Sequence, residues 1–240
     1  MLSRGVRIYG RVQLSKLETG FLYKYPMYPT NSQIEFKPIQ HLDHPDFESA
    51  IALYEQTFPS PGQIPIPWIQ EGVLTQKTQL WLGYFQQELA LISILYPLPD
   101  SNFILLAYLA TVPHLRNIKI GSQFLNYLID LVKKESKTLV LEVEHPDFGD
   151  NRELKQRRIA FYKRLGAKEL QDIIYIFPAL DGTKTTEMIL MIIDNSNSEN
   201  IQKKVIQKLV RELYIEVYHL HPDQPIFNWI EDIQDNIALI

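Results

Sequence analysis

The stretch from Phe103 to Val132, FILLAYLATVPHLRNIKIGSQFLNYLIDLV, constrains the chain most. Its first third is apolar and long enough for a buried strand, and Pro113 ends it. Arg116 and Lys119 make the next few residues basic. From Gly121 the apolar residues recur at helical spacing: Phe124, Leu125, Leu128, Ile129 and Val132. A strand, a loop of free N–H groups and a helix start make a place for an anion. Gly121 has no Cβ, so a ligand can come close to its backbone. The polar loop stands at the C-terminal end of its strand, where ligands bind in open α/β sheets.

The flanking sequence supplies a sheet for this unit. Ile34 to Ile39 alternates as a strand, and Asp46 to Phe58 carries Phe47, Ile51, Tyr54 and Phe58 on one helical face. Pro59, Pro61, Pro65 and Pro67 punctuate a loop, and a second helix runs from Pro67 to Lys77. Gln79–Phe85, Leu89–Tyr96 and Phe103–Val112 read as three strands, the first two close enough for a hairpin. After the helix of Gly121–Lys134 come an apolar strand over Thr138–Glu144 and a helix over Asn151–Leu165, stopped by Gly166. Lys168–Phe177 and Thr186–Ile193 form two more strands around the turn at Asp181-Gly182. The order predicts a mixed α/β (α+β) sheet and excludes a doubly wound nucleotide-binding fold, which alternates strand and helix throughout.

Residues 1–33 read as an N-terminal arm, and 195–240 as a C-terminal helical extension. Asn195–Asn200 is a polar linker. The stripe Ile201, Val205, Leu209, Val210, Leu213, Tyr214 and Val217 then packs on the domain or on a partner subunit, so a homodimer is one reading. A last helix is expected within Phe227–Leu239.

Charge and cysteine content narrow the function. The 240 residues carry a formal charge of −4 without a basic face, so no nucleic-acid partner is expected. No apolar run reaches the ~18 residues of a membrane span. The chain has no cysteine, which excludes disulfides, thiolate metal sites and a cysteine nucleophile. A cytoplasmic location fits, because the Arg-rich start lacks the apolar length of a secretory signal. His219 and His221 lack a third ligand nearby and read as a solvated turn, so no metal is expected.

Two blocks now carry a resemblance. VPHLRNIKIGSQFL is similar to V-x-P-x-x-R/Q-x-x-G-x-G/A-x-x-L, in register at Pro113, Arg116 and Gly121. AFYKRLGAKEL, about forty residues later, is similar to A-x-x-x-Y-x-x-x-G-F/A, in register at Tyr162, Gly166 and Ala167. In both blocks, and in element order from 34 to 193, the chain resembles the GNAT superfamily of CoA-dependent N-acyltransferases. The resemblance implies a mostly antiparallel, six- to seven-stranded GNAT-type sheet with helices on both faces, over residues 34–194. It implies acetyl-CoA as acyl donor, with no metal, and a small-molecule or peptide amine as acceptor. The backbone of Leu109, Ala110, Thr111 and Val112 would hold the pantetheine arm, if this strand splays from Leu139–Glu144. Arg116, Asn117, Ile118, Lys119, Ile120, Gly121 and Ser122 would cradle the pyrophosphate, and the amide near Val112 would polarise the thioester carbonyl. Tyr162 stands where the superfamily places the acid that protonates the leaving thiolate. Two positions depart from the pattern: Lys119 replaces its first glycine, and Lys155 its frequent asparagine. A side chain at 119 is expected to be tolerated if the residue is already helical.

Glu142 and Glu144 share one face of their strand. Glu144, nearer the cleft, is the first candidate for the general base and Glu142 the second; pairing with Arg157 or Arg158 is the competing reading. Tyr108, Thr111 and His145 are candidates to line the cleft. Tyr175, Phe177 and Pro178 suit either core or a wall of the acceptor pocket. The activity expected is direct N-acetyl transfer to a primary amine. The alternative is a weakly active or inactive CoA-binding sensor or interaction module.

Overall fold

A computed structural model describes residues 34–58, 62–180, 182, 185–194, 196 and 198–240. The N-terminal arm and Asp181 of the turn therefore lie outside the described residues. The strands are β1 (Ile34–Ile39), β2 (Gln79–Phe85), β3 (Glu88–Pro97), β4 (Phe103–Thr111), β5 (Thr138–Glu144), β6 (Lys168–Glu169), β7 (Tyr175–Phe177) and β8 (Thr186–Ile193). They form one eight-stranded sheet in the order β1-β2-β3-β4-β5-β8-β6, with β7 also paired to β8. Among the described strands only β4 and β5 run parallel.

The helices are α1 (Phe47–Thr57), α2 (Ile66–Leu74), α3 (Ile120–Lys134), α4 (Arg152–Arg164) and α5 (Lys203–Glu212). They lie on both faces. Ile120, Phe124, Leu128 and Val132 of α3 bury against Leu139, Leu141 and Val143, with Ile159 and Leu165 of α4 alongside. Each such side chain contributes roughly 1.5–3 kcal/mol on burial. The opposite face takes Tyr54 of α1, Ile69 of α2 and Leu209 of α5 over Val140, Leu190 and Ile192. The stripe at 201–217 thus covers the sheet through Leu209, Val210, Leu213, Tyr214 and Val217, while Val205 is exposed.

Gly166 ends α4 as its sequence suggests. At φ +90° it adopts the left-handed geometry that side chains disfavour. Its N–H donates to Lys163 O, and the Ala167 N–H donates to Tyr162 O, the paired bonds of a Schellman stop.

Three expectations are corrected. The sheet has eight strands rather than six or seven, because Lys168–Phe177 is not one strand. It breaks into β6 and β7 around a turn with Asp172 at φ 60°, and both pieces pair with β8. The last segment is not a helix over Phe227–Leu239. A 3-10 turn runs over Pro225–Asp232, and then Asn236–Ala238 (β10) pairs with Asn200–Gln202 (β9). The helical stripe also changes pitch: after α5 the chain widens into a π-helix over Leu213–Val217.

Candidate active site

The parallel pairing of β4 and β5 runs from Phe103↔Thr138 to Leu106↔Leu141 and stops there. Beyond it, β4 stays bonded to β3 through Thr111, and β5 stays bonded to β8 through Glu144. The two strands part, leaving a V-shaped gap whose apex is Leu106–Leu141. A bulge sits at that apex. Ile94 faces Tyr108 and Leu95 faces Leu106, so Ala107 is the extra residue. Ala107 and Tyr108 consequently pack on the same face, and the alternation resumes out of phase.

The ladder decides which backbone groups meet the gap. The Val112 N–H donates to Ala90 O at 2.9 Å. Antiparallel strands alternate their bonding direction, so Ala110 and Tyr108 also turn toward β3. Leu109 and Thr111 then turn their N–H and C=O toward the gap. The resemblance implies that an amide near Val112 polarises the carbonyl; the Val112 amide itself is already bonded to β3.

At the mouth of the gap the chain makes a 3-10 turn over Pro113–Ile118, which includes Arg116 and Asn117. Lys119 follows with φ 63° and ψ 24°, and α3 begins. No side chain caps the helix. Its first amide with a helical acceptor is that of Gln123, bonded to Lys119 O at 3.0 Å. The N–H groups of Ile120, Gly121 and Ser122 are the orphan donors of the first turn. A Cβ on Gly121 would stand 3.6 Å from Thr111 Oγ1, in ordinary van der Waals contact. Arg116 Nε donates to Thr111 O at 3.3 Å and lays its guanidinium across the mouth.

Lys119 is not helical, so the condition on which a side chain there is expected to be tolerated is not met. It occupies left-handed backbone, which costs an L-residue with a side chain about 1–2 kcal/mol. A glycine in its place would carry no such penalty.

On the β5 side the two candidate bases have different surroundings. Glu144 is half-exposed and pairs with Arg158 of α4 at 3.0 Å. Glu142 is the first β5 residue past the apex. Its Oε2 accepts from the Tyr218 hydroxyl. Its Oε1 is buried and has no hydrogen-bond partner, and the Tyr175 hydroxyl beside it is likewise unpaired. Burial lifts the Glu142 carboxyl to about 7, against the pull of the Tyr218 and Tyr175 hydroxyls. A buried carboxyl raised toward neutrality suits proton abstraction better than an exposed one held by a guanidinium.

Tyr162 packs against Phe161 on the α3–α4 side, with ring centroids 5.3 Å apart. Burial raises its phenol above the usual value and the Arg158 charge draws it down, so it is protonated at neutral pH. Tyr108 is committed elsewhere. Its hydroxyl donates to Gly62 O at 2.6 Å and accepts from the Ile64 N–H at 2.9 Å, pinning the α1–α2 connection to the sheet. His145 folds into its own turn, its Nδ1 accepting from the Asp147 N–H. Lys155 is buried, and its ammonium donates to Phe148 O, tying the 145–151 loop to α4.

The sequence reading missed Tyr218 and gave Tyr175 only as core or pocket wall. Both are buried beside Glu142. Tyr214 and Tyr218 stand four residues apart, a spacing that puts both on one helical face. Only the fold reveals that this face reaches Glu142.

No family model matches the chain, and no match was found among curated proteins. Solved structures do match. One is a protein from Bacteroides thetaiotaomicron described as a GNAT-family acetyltransferase: 24% identity, 78% of this chain and 99% of that one, TM-score 0.65. A second is a chimera of the spermidine N-acetyltransferase SpeG from Vibrio cholerae and hSSAT: 11% identity, 68% and 96% coverage, TM-score 0.52. A third is an aminoglycoside 6'-N-acetyltransferase complexed with coenzyme A: 18% identity, 68% and 98% coverage, TM-score 0.51. The chain has the GNAT acetyltransferase fold.

Proposed function

We propose that this protein is an N-acetyltransferase that moves an acetyl group from acetyl-CoA to a primary amine by direct attack. The observation that carries the reading is the gap beyond Leu106 and Leu141, with the uncapped N-terminus of α3 at its mouth. Pantetheine is a chain of amides and suits pairing with the Leu109 and Thr111 backbone, as an added strand would. The pyrophosphate suits the Ile120, Gly121 and Ser122 amides, with the 3-10 turn of Arg116, Asn117 and Ile118 beside it. Leu109 and Thr111, rather than Val112, supply the amides that polarise the thioester carbonyl.

Glu142 Oε1 takes a proton from the acceptor ammonium, which frees the nitrogen lone pair. The C–N bond forms and the C–S bond breaks. Tyr162 gives its phenolic proton to the departing thiolate and regains one from solvent. The nitrogen then loses its second proton to solvent and Glu142 returns the first, so that with the one regained by Tyr162 a single proton is released overall. Glu144, paired with Arg158, is left to orient its neighbours. The acceptor is a small-molecule or peptide amine, and the acids Glu71, Glu142 and Glu144 favour a cationic one. A chain without cysteine fits the cytoplasm. No helix of the described residues is long and apolar enough to cross a membrane.

The test is thiol release from acetyl-CoA across a panel of primary amines. Amine-dependent release, lowered about 100-fold or more by Glu142→Gln, is the expected result. A second reading rests on Lys119, whose side chain stands at the anion cradle on strained backbone. Under it the chain binds CoA or acyl-CoA as a sensor or interaction module. Tight acetyl-CoA binding by calorimetry with no turnover on any amine would select that reading.

A further inference from the structure

The C-terminal segment does more than cover the sheet. Tyr218 follows the π-helix, its N–H reaching back five residues to Leu213 O at 3.2 Å. Such wide turns often mark functional sites. Both of its flanks are fixed. Tyr214 donates to Ile176 O at 2.6 Å and accepts from Trp229 Nε1 at 3.1 Å. His219, at φ 55°, stacks on Trp68 of α2 with ring centroids 4.2 Å apart. Between these anchors the Tyr218 ring lies edge-on to Phe177, 2% exposed, with its hydroxyl on Glu142 Oε2.

This arrangement divides the carboxylate. Oε2 accepts from the Tyr218 hydroxyl, and Oε1 lies buried with the Tyr175 hydroxyl beside it but outside hydrogen-bond geometry. We propose that Tyr218 is the positioning residue for Glu142, turning Oε1 toward the acceptor nitrogen, so that the C-terminal segment is part of the active site. The inference rests on the acetyl-transfer reading and adds to it a residue that lies outside both GNAT-like blocks.

The groups facing Glu142 are phenols. They are Tyr175 from β7 and Tyr214 and Tyr218 from the C-terminal segment, with Tyr96 from β3 and Tyr108 from β4 behind Tyr218. Burial holds every one of them above the ordinary tyrosine value. The Glu144–Arg158 pair lies two residues along β5. The carboxyl is therefore the member of this cluster that titrates near neutrality.

The experiment has two readouts on the full chain. The first is the pH profile of kcat/KM for amine acetylation. Tyr218→Phe keeps the ring and removes the donor, so the carboxylate is less favoured and the acidic limb moves to higher pH. kcat falls about 10- to 100-fold, and KM for acetyl-CoA stays within about twofold. The second is a carbon-13 NMR titration of the Glu142 carboxyl in the ligand-free protein. It too moves to higher pH in Tyr218→Phe.

If the wild type acetylates no amine, the activity reading fails, and the carboxyl titration still decides the positioning role. Tyr214→Phe is the packing control, since it removes the bonds to Ile176 and Trp229 and none to Glu142. The proposal is overturned if Tyr218→Phe leaves both the limb and the carboxyl titration where they are. It is equally overturned if Tyr214→Phe moves them as far.

Discussion

Leu106 faces Leu141, and beyond this pair β4 and β5 never meet again. The bulge at Ala107 lies immediately past it, so the strand is re-aimed where the pairing ends. The amides of Leu109 and Thr111 that the parting exposes have no ladder to join. A ligand that completes the ladder regains those bonds.

Proline at alternate positions separates the two jobs of β4. Leu109→Pro removes an N–H that faces the gap and spares the bonds to β3. Acetyl-CoA binding should weaken about tenfold, with stability changed by about 1 kcal/mol. Ala110→Pro removes a ladder bond to β3 and should cost about 3 kcal/mol or more. Calorimetric titration and urea unfolding of both variants check the contrast. Equal loss of stability would place the Leu109 amide in the ladder instead.

Lys119 should be a strained position. Lys119→Gly relieves left-handed backbone and is expected to stabilise the chain by about 0.5–1 kcal/mol, the relief being offset in part by unfolded-state entropy. Lys119→Val, β-branched, should destabilise by more than about 1 kcal/mol. Urea midpoints of the two variants give the answer, and the reverse order, with Lys119→Val the more stable, would refute the left-handed assignment.

Glu142 predicts how stability varies with pH. Burial raises the folded carboxyl from 4.5 to about 7. Between those values the folded chain keeps a proton that the unfolded chain has released, so stability falls as pH rises through the window. The fall attributable to Glu142 is about 3 kcal/mol, complete above about pH 8. Glu212, whose carboxyl is also raised by burial, adds a slope of the same sign. Glu142→Gln should flatten most of this dependence and make the variant the more stable chain at pH 8. Unfolding curves at pH 5 and pH 8 measure it.

Gly72 lies in α2 with Thr78 folded over it. A Cβ there would stand 2.0 Å from Thr78 Oγ1 and 2.6 Å from Thr78 Cβ. Thr78 is buried, and its N–H is bonded to Gly72 O at 3.0 Å, so it has little freedom to withdraw. Gly72→Ala should cost about 1–3 kcal/mol despite the better helix propensity of alanine. A drop in melting temperature with unchanged acetyl-CoA affinity is the expected pattern.

The legible parts of this chain were those set by local pattern. The bounds of β1, β2, β5 and β8 follow from runs that alternate or stay apolar, and the stop of α4 follows from Gly166. The misreadings share a cause in long-range pairing. Lys168–Phe177 looks like one strand, but its two ends each find β8 across a turn. Asn236–Ala238 is too short to signal a strand and is one because Asn200–Gln202 lies alongside. Lys119 reads only as a loop residue, and its φ is set by the junction of the 3-10 turn with α3. Glu142 and Glu144 are equivalent in sequence. A tyrosine seventy-six residues away and an arginine on α4 distinguish them.

The most direct test is amide hydrogen exchange, resolved by residue, with and without saturating acetyl-CoA. The account predicts slowed exchange at Leu109 and Thr111 and at Ile120, Gly121 and Ser122, with Ala110 and Val112 unchanged because β3 already holds them. Unchanged rates at all five of the first group, or protection confined to another part of the sheet, would contradict it.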